Sequence, residues 1–231
     1  PILDIEGLLK EQHFHSREYW ETVRVLGKSA RLPGAFAKMS ATPLTSLDSA
    51  PELNCSQVFT DRLVEITETK DDSELPLAGL KVLDFMWVMA GPIFTRVLSD
   101  YGATVIRVES TTKLDAVRAA PPFKNDELEM SNSAPYSNFN AGKIGITIDP
   151  SNPVGKEVIL DLVKWADVVS ESFSPKAMRA WGLDYESLKA ANPNLIMVSS
   201  CLMGQTGDRA MVPGYGNMAA SITGFYELTG W

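Results

Sequence analysis

Apolar and polar positions recur in an ordered way over the later two-thirds of the chain, most clearly in Leu77–Glu109. Lys81–Phe85 is a short apolar run that suits a buried strand. Gly91-Pro92 follows, and proline at the first helical position marks a helix start because its missing N–H had no partner there. Ile93, Val97 and Leu98 share one helical face, with Arg96, Ser99 and Asp100 towards the other. Gly102 supplies the stop, and Ala103–Val108 is a second apolar, β-branched run. Strand, helix and strand in this span make a βαβ unit, with parallel strands and a right-handed crossover expected. Ligands on such sheets sit beyond the carboxyl ends of the strands, here Met86–Gly91 and Glu109–Lys113.

The alternation continues. Ile144–Ile148, Ala166–Val169 and Leu195–Ser200 read as further strands. A helix is expected over Pro153–Trp165, capped by Asp149, Ser151 or Asn152, with Val154, Val158, Ile159, Leu162 and Val163 as its apolar face. Two short helices fall at Pro175–Trp181 and Tyr185–Ala191, the second stopped by Asn192-Pro193, and a last helix at Tyr215–Leu228. Thr111–Asn138, with Pro121-Pro122 and a charged run, reads as loop. The sum is an α/β fold, an open parallel Rossmann-like sheet with helices on both faces. Ahead of it the pattern differs: Leu8–Val25 has helical spacing, Ala30–Pro43 is punctuated by proline and glycine, and Asp61–Glu74 is a polar, acidic linker.

Composition narrows the function. With 231 residues and 45% hydrophobic content, the chain can bury a core in one or two domains. A formal charge of −8 argues against a nucleic-acid partner, which needs a basic surface. No apolar run approaches the ~18 residues of a membrane span, and no signal peptide opens the chain. Cys55 and Cys201 follow no metal or redox spacing and read as idle thiols in a reducing cytoplasm. The H-x-H of His13 and His15 places the rings on different faces of a helix, as packing or surface residues, so no metal is expected. Trp87-Val88-Met89-Ala90-Gly91 supplies one glycine where a dinucleotide loop needs three, which weakens a nicotinamide or flavin reading, although Glu109 sits where a ribose-binding acid would. Asp84 reads as a structural acid at a strand end, or as an electrostatic group at the ligand edge.

The wording GLKVLDF…AGP…TR.LSDYGATVIRVE closely resembles the opening of the class III coenzyme A transferases, the family of formyl-CoA and carnitine CoA-transferases that also holds the α-methylacyl-CoA racemases. The resemblance continues through FNAGKIGITID, ADVVSESFSP, GLDYESLKAANPNLI and GQTG…PGY, in family order, over nearly all of residues 75–231. Residues 26–53 resemble the end of such an enzyme. The implied organisation is a tail of a preceding copy over residues 1–60, a linker over 61–74, and the N-terminal part of a large domain over 75–231.

What the resemblance implies is transfer of CoA between an acyl-CoA and a small carboxylic acid. An Asp carboxylate acts as nucleophile, through an acyl anhydride and then an aspartyl-CoA thioester. That Asp is expected past Trp231, so no catalytic residue is named. CoA-binding positions carry over to Trp87, Val88, Met89 and Ala90; to Ser110; to Lys143; to Asp149, Pro150 and Ser151; to Ser172, Phe173 and Ser174; and to Pro213, Gly214, Tyr215 and Gly216. The chain departs from the family where basic residues would gather on CoA phosphates: N-R-G-K-R reads Asn140-Ala141-Gly142-Lys143-Ile144, and Ala180, Ser151 and Gly216 stand at other usually charged positions. A pseudo-dimer with the other tandem copy, or a homodimer, is implied. The alternatives are a non-catalytic scaffold half and a racemase-like enzyme, the latter opposed by Gly214-Tyr215-Gly216 in place of G-H-D.

Overall fold

The computed structural model describes residues 2–45 and 75–230. Cys55 and the expected linker over 61–74 lie outside the described residues. The chain forms two compact units: the described residues of Pro1–Thr69 with Thr206–Arg209 and Gly214–Trp231, and those of Lys70–Gln205 with Ala210–Pro213.

In the first unit, α1 (Ile5–Lys10) starts where Asp4 Oδ1 accepts the Gly7 amide at 2.6 Å, and α2 (Gln12–Ser16) follows directly. β1 (Trp20–Val25) and β2 (Lys28–Pro33) then form an antiparallel hairpin. The helical spacing over Leu8–Val25 is therefore interrupted. Glu18 takes φ 53°, which ends the helical path, and β-branched Thr22, Val23 and Val25 take up the pleat instead. The last helix is likewise two, α8 (Gly216–Ile222) and α9 (Phe225–Thr229), because Gly224 lies between them at φ 83°. That left-handed backbone cannot continue a right-handed helix, and glycine adopts it without a Cβ clash.

The second unit is a five-stranded parallel sheet in the order β5-β4-β3-β6-β7. Its strands are β3 (Lys81–Phe85), β4 (Thr104–Glu109), β5 (Ile144–Thr147), β6 (Val168–Glu171) and β7 (Ile196–Ser199). Successive side chains of β3 serve opposite faces. Val82 packs with Val105, Val168 and Leu98 of α3 (Ala90–Asp100). Leu83 and Phe85 pack with Ile159 and Val163 of α5 (Pro153–Trp165), Met178 of α6 (Pro175–Trp181) and Leu188 of α7 (Tyr185–Ala191). A sheet covered on both faces explains why its central strands read as continuous apolar runs. Each fully buried Leu or Ile here contributes about 1.5–3 kcal/mol by leaving water.

Three local expectations are corrected. α3 begins at Ala90, before Pro92, and buries Gly91, Pro92 and Thr95, while Ile93 and Val97 face outward. Thr95 turns inward because its Oγ1 donates to Asp84 Oδ2 at 2.9 Å. Gly91 lets the helix close on β3, since a Cβ there would lie 2.6 Å from Met86 Sδ. On α5, Ile159 and Val163 are buried but Val154 and Val158 are exposed, so the apolar stripe is narrower than its sequence. Within the expected loop, α4 (Ala134–Phe139) forms with Ser133 Oγ accepting the Tyr136 amide at 3.3 Å and Pro135 in the first turn.

Candidate functional site

Strand order reverses direction between β3 and β6, because the chain builds β4 and β5 on one side of β3 and then crosses to the other. Open parallel sheets hold ligands at that switch point, outside the carboxyl ends of the strands. A solvent-open cleft lies at that edge. Its aromatic wall is Trp87, Phe173 and Trp181, in edge contacts of 5.2 Å and 5.4 Å between ring centroids. Its floor is Phe85, Val108 and Ile148, and its polar rim is Glu109, Ser110, Thr112, Lys113, Asp149 and Ser151.

The rim is built by the strand ends. Ser110 Oγ accepts the Lys113 amide at 3.0 Å and lies 3.1 Å from Thr112 Oγ1, which closes the turn after β4. Asp149, following β5, accepts the Ser151 amide at 2.9 Å, the Ser151 hydroxyl at 2.6 Å and the Thr112 hydroxyl at 3.1 Å. The Ser151 hydroxyl and amide hold this carboxyl below its ordinary value, so it is charged at neutral pH. On the β6 side, Ser172 Oγ accepts the Trp87 amide at 2.8 Å and ties the two strand ends together.

Behind the cleft lies a buried charge network. Arg107, 2% exposed in the middle of an apolar strand, donates to Met86 O at 2.6 Å and to Asp115 Oδ2 at 2.7 Å; its Nε lies 3.9 Å from Glu109 Oε2. Asp115 also accepts the Val88 amide at 3.1 Å on each oxygen and the Val117 amide at 3.0 Å. Val88 sits at φ 70°, a conformation that costs a β-branched residue about 1–2 kcal/mol. The Asp115 carboxylate holds it there. Glu109 accepts Arg118 Nε at 2.7 Å and Nη2 at 2.9 Å, the Asp115 amide at 2.9 Å and the Tyr136 hydroxyl at 3.2 Å. Burial pushes Glu109 up, but the Arg118 guanidinium, the Asp115 amide and Arg107 outweigh it and hold the carboxyl below its ordinary value. Arg118 also stacks 3.7 Å over the Tyr136 ring, whose hydroxyl burial pushes up.

A second buried pair lies beneath α3. Asp84 accepts the Met86 amide at 2.9 Å, the hydroxyls of Ser170 and Thr95 at 2.9 Å each, and Lys143 Nζ at 3.0 Å. Lys143 also donates to Pro92 O at 3.0 Å and Asn140 Oδ1 at 2.9 Å, so all three of its protons are used. Burial lowers the Lys143 pKa, against the opposing pull of Asp84.

Of the residues expected from sequence, Trp87, Ser110, Asp149 and Phe173 come together at the cleft, with Pro150 and Ser151. Val88 and Met89 form the turn into α3, and Ala90 begins that helix, away from the lining. Ser172 acts through the Trp87 amide, and Ser174 is the residue before α6. Lys143 lies apart from the lining, its ammonium buried against Asp84, where a buried carboxylate needs a counter-charge. Gly214, Tyr215 and Gly216 belong to the first unit, at the start of α8. Thr112 and Lys113 fall in the Glu109–Lys113 strand end expected to face a ligand, whereas Trp181 was not anticipated, nor were Arg107, Asp115 and Tyr136 as a network. An Arg inside TVIRVE was the available signal, since a buried guanidinium requires carboxylates nearby. Among the described residues no group of three or more His, Cys, Asp or Glu could hold a metal ion, and no helix is long and apolar enough to cross a membrane.

Residues 77–231 match CoA-transferase family III. The chain is similar to the succinate–glutarate CoA-transferase of Agrobacterium fabrum, 40% identical over 157 residues, which are 67% of this chain and 39% of that protein. It is similar also to the acetyl-CoA:oxalate CoA-transferase of Acetobacter aceti, 35% identical over 156 residues, covering 68% of this chain and 39% of that one. Among solved structures, a CAIB/BAIF family protein from Brucella suis superposes with a TM-score of 0.62 at 42% identity, over 68% of this chain and 41% of the other. The chain thus spans about 39% of the length of these curated relatives.

Proposed function

Because this chain belongs to CoA-transferase family III, we propose that it supplies the nucleotide-binding part of an enzyme that moves CoA from an acyl-CoA to a small carboxylic acid. The observation that carries this is the cleft at the carboxyl edge of β3, β4 and β6, with an aromatic wall suited to a base and a polar rim suited to ribose and phosphate oxygens. The names of relatives that transfer CoA to dicarboxylic acids support the same reading.

In this reading the chemistry proceeds through an aspartyl carboxylate. It attacks the acyl-CoA carbonyl, and the tetrahedral adduct breaks its C–S bond, expelling CoA as thiolate and leaving a mixed anhydride. The thiolate then attacks the aspartyl carbonyl, releasing the first carboxylic acid as its carboxylate and leaving aspartyl-CoA. The acceptor acid reverses both steps and departs as the new acyl-CoA, regenerating the Asp. A nucleophile of this kind must be free to approach a thioester. Asp84, Glu109 and Asp115 are each bound to a cation and to backbone or hydroxyl donors, so we assign the role to none of them. The role assigned to this unit is to hold CoA while its thiol end leaves and returns. Residues 26–53, which read like the end of the family fold ahead of its beginning, support a tandem arrangement in which two copies pair within one protein.

The test is a calorimetric titration of the chain with CoA, repeated on Phe173→Ala and Trp181→Ala. Loss of one stacking ring should weaken binding by about 1–3 kcal/mol. No saturable CoA binding, or binding indifferent to both substitutions, would remove the cleft from the reaction.

A further inference from the structure

Among the described residues of the second unit, four carboxylates are buried: Asp84, Glu109, Asp115 and Glu171. The first three have cations, in Lys143, Arg118 and Arg107. Glu171, 2% exposed at the end of β6, is held instead by neutral donors. It accepts the Phe173 amide on Oε2 at 2.7 Å and Gln205 Nε2 on Oε1 at 3.2 Å, and it bonds to the Ser199 side chain. Burial pushes this carboxyl up, so the group works against the stability of the fold that keeps it. An acid retained at such a cost beside a ligand cleft is a candidate for work on the ligand.

What Glu171 holds is Phe173. That residue lies in the connection 172–174 between β6 and α6, and its ring joins the aromatic wall by meeting both Trp87 and Trp181. Its amide donates to Glu171, and its carbonyl accepts Gln205 Nε2 at 3.4 Å. Gln205 therefore spans the carboxylate and the carbonyl with one amide group. Both are acceptors, so the Gln205 side chain must present its NH2 to them. Together the two side chains grip the N–H and the C=O of the residue that carries the ring. Neither belongs to the cleft lining. A ring left loose on a connecting segment must be ordered when a base stacks on it, and that ordering subtracts from affinity.

We propose that Glu171 and Gln205 are positioning residues for CoA, which fix Phe173 where the base stacks without touching the nucleotide themselves. The proposal rests on the cleft being the nucleotide site described above.

The experiment is a calorimetric titration of the chain with CoA. It compares the native protein, Gln205→Met, Glu171→Gln, Phe173→Ala and the double variant Gln205→Met/Phe173→Ala. Gln205→Met keeps an unbranched side chain and removes its donor. It should weaken binding about 2- to 12-fold, the cost of ordering one side chain. In the Phe173→Ala background the same substitution should change nothing further, because the ring it positions is gone. Glu171→Gln can still accept the Phe173 amide, but its new NH2 then faces Gln205. Gln205 must turn its carbonyl to that NH2, which withdraws its donor from the Phe173 carbonyl. Glu171→Gln should therefore bind CoA more weakly by a similar factor while melting higher than the parent at pH 7. A purely structural role would not move affinity and stability in opposite directions. Native-like affinity in either single variant overturns the proposal. So does an equal loss from Gln205→Met with and without the Phe173 ring; both results leave the nucleotide reading standing. No saturation by CoA, or saturation indifferent to Phe173→Ala, overturns the nucleotide reading and this proposal with it.

Discussion

Asp115→Asn probes the buried network with almost no change in shape. The substitution removes the negative charge from a carboxylate that bonds Arg107 Nη2 at 2.7 Å and three times to backbone amides, twice to Val88 and once to Val117. Arg107, 2% exposed, would keep the Met86 carbonyl, but its other carboxylate lies 3.9 Å away and is already held by Arg118. Removing one member of a buried pair costs about 3–5 kcal/mol, because the survivor stays charged and desolvated. The new amide nitrogen would also face a backbone N–H, donor against donor. With a urea m value of about 2 kcal/mol/M, the unfolding midpoint should fall by about 1.5–2.5 M, read by tryptophan fluorescence. Arg107→Met should cost a similar amount, and the double variant clearly less than the sum, with a coupling of about 2–3 kcal/mol. Val88 should respond locally, since its left-handed backbone would lose the carboxylate that holds it, and its amide should exchange faster than in the parent. A midpoint shift under about 0.3 M, or additive single substitutions, would show that the network carries no such energy.

Lys143→Met should destabilise by about 3–5 kcal/mol in chemical denaturation by leaving Asp84 uncompensated, and Asp84→Asn in the same chain should recover part of that loss. Burial pushes the Glu171 carboxyl up, against its bonds to Ser199 and the Phe173 amide. The folded state therefore holds that proton to higher pH than the unfolded chain, and stability from this group is lost as pH rises from the ordinary carboxyl value through the raised one. Glu171→Gln should melt higher than the parent at pH 7 and lose that advantage below about pH 4, as followed by circular dichroism. Gly224→Ala, at φ 83° with Ile5 Cδ1 3.0 Å from the added methyl, should cost about 1–2 kcal/mol in the same melts.

The sheet was legible because its strands are written in apolar and β-branched residues that leave few alternatives. Lys81–Phe85, Pro153–Trp165, Pro175–Trp181 and Tyr185–Ala191 appear as read. What escaped was decided by contacts distant in sequence. Thr95 is polar, yet it is buried because its hydroxyl donates to Asp84. Ile93 and Val97 read as core and face outward, because Gly91 and Pro92 form the close contact with β3. Lys143 stands as a CoA-binding position by resemblance, and sequence gives its charge but not the buried Asp84 that engages it 59 positions earlier. The aromatic wall was half legible: Trp87 and Phe173 follow strands, whereas Trp181 reaches the cleft from the end of α6.

The order β5-β4-β3-β6-β7 also has a temporal meaning. A ribosome releases the middle of this sheet first and its flanks later. β4 can join β3 as soon as the intervening α3 has emerged, but β6 begins at Val168, 87 positions after Lys81. At about 5–20 residues per second, the second edge of β3 waits roughly 4–17 s for its partner. During that interval Val82, Leu83 and Phe85 sit beside an open row of amides and carbonyls, the arrangement that invites pairing with another nascent chain. Pausing codons placed between β4 and β6 would lengthen that exposure, and the yield of soluble protein should fall with each added second of delay.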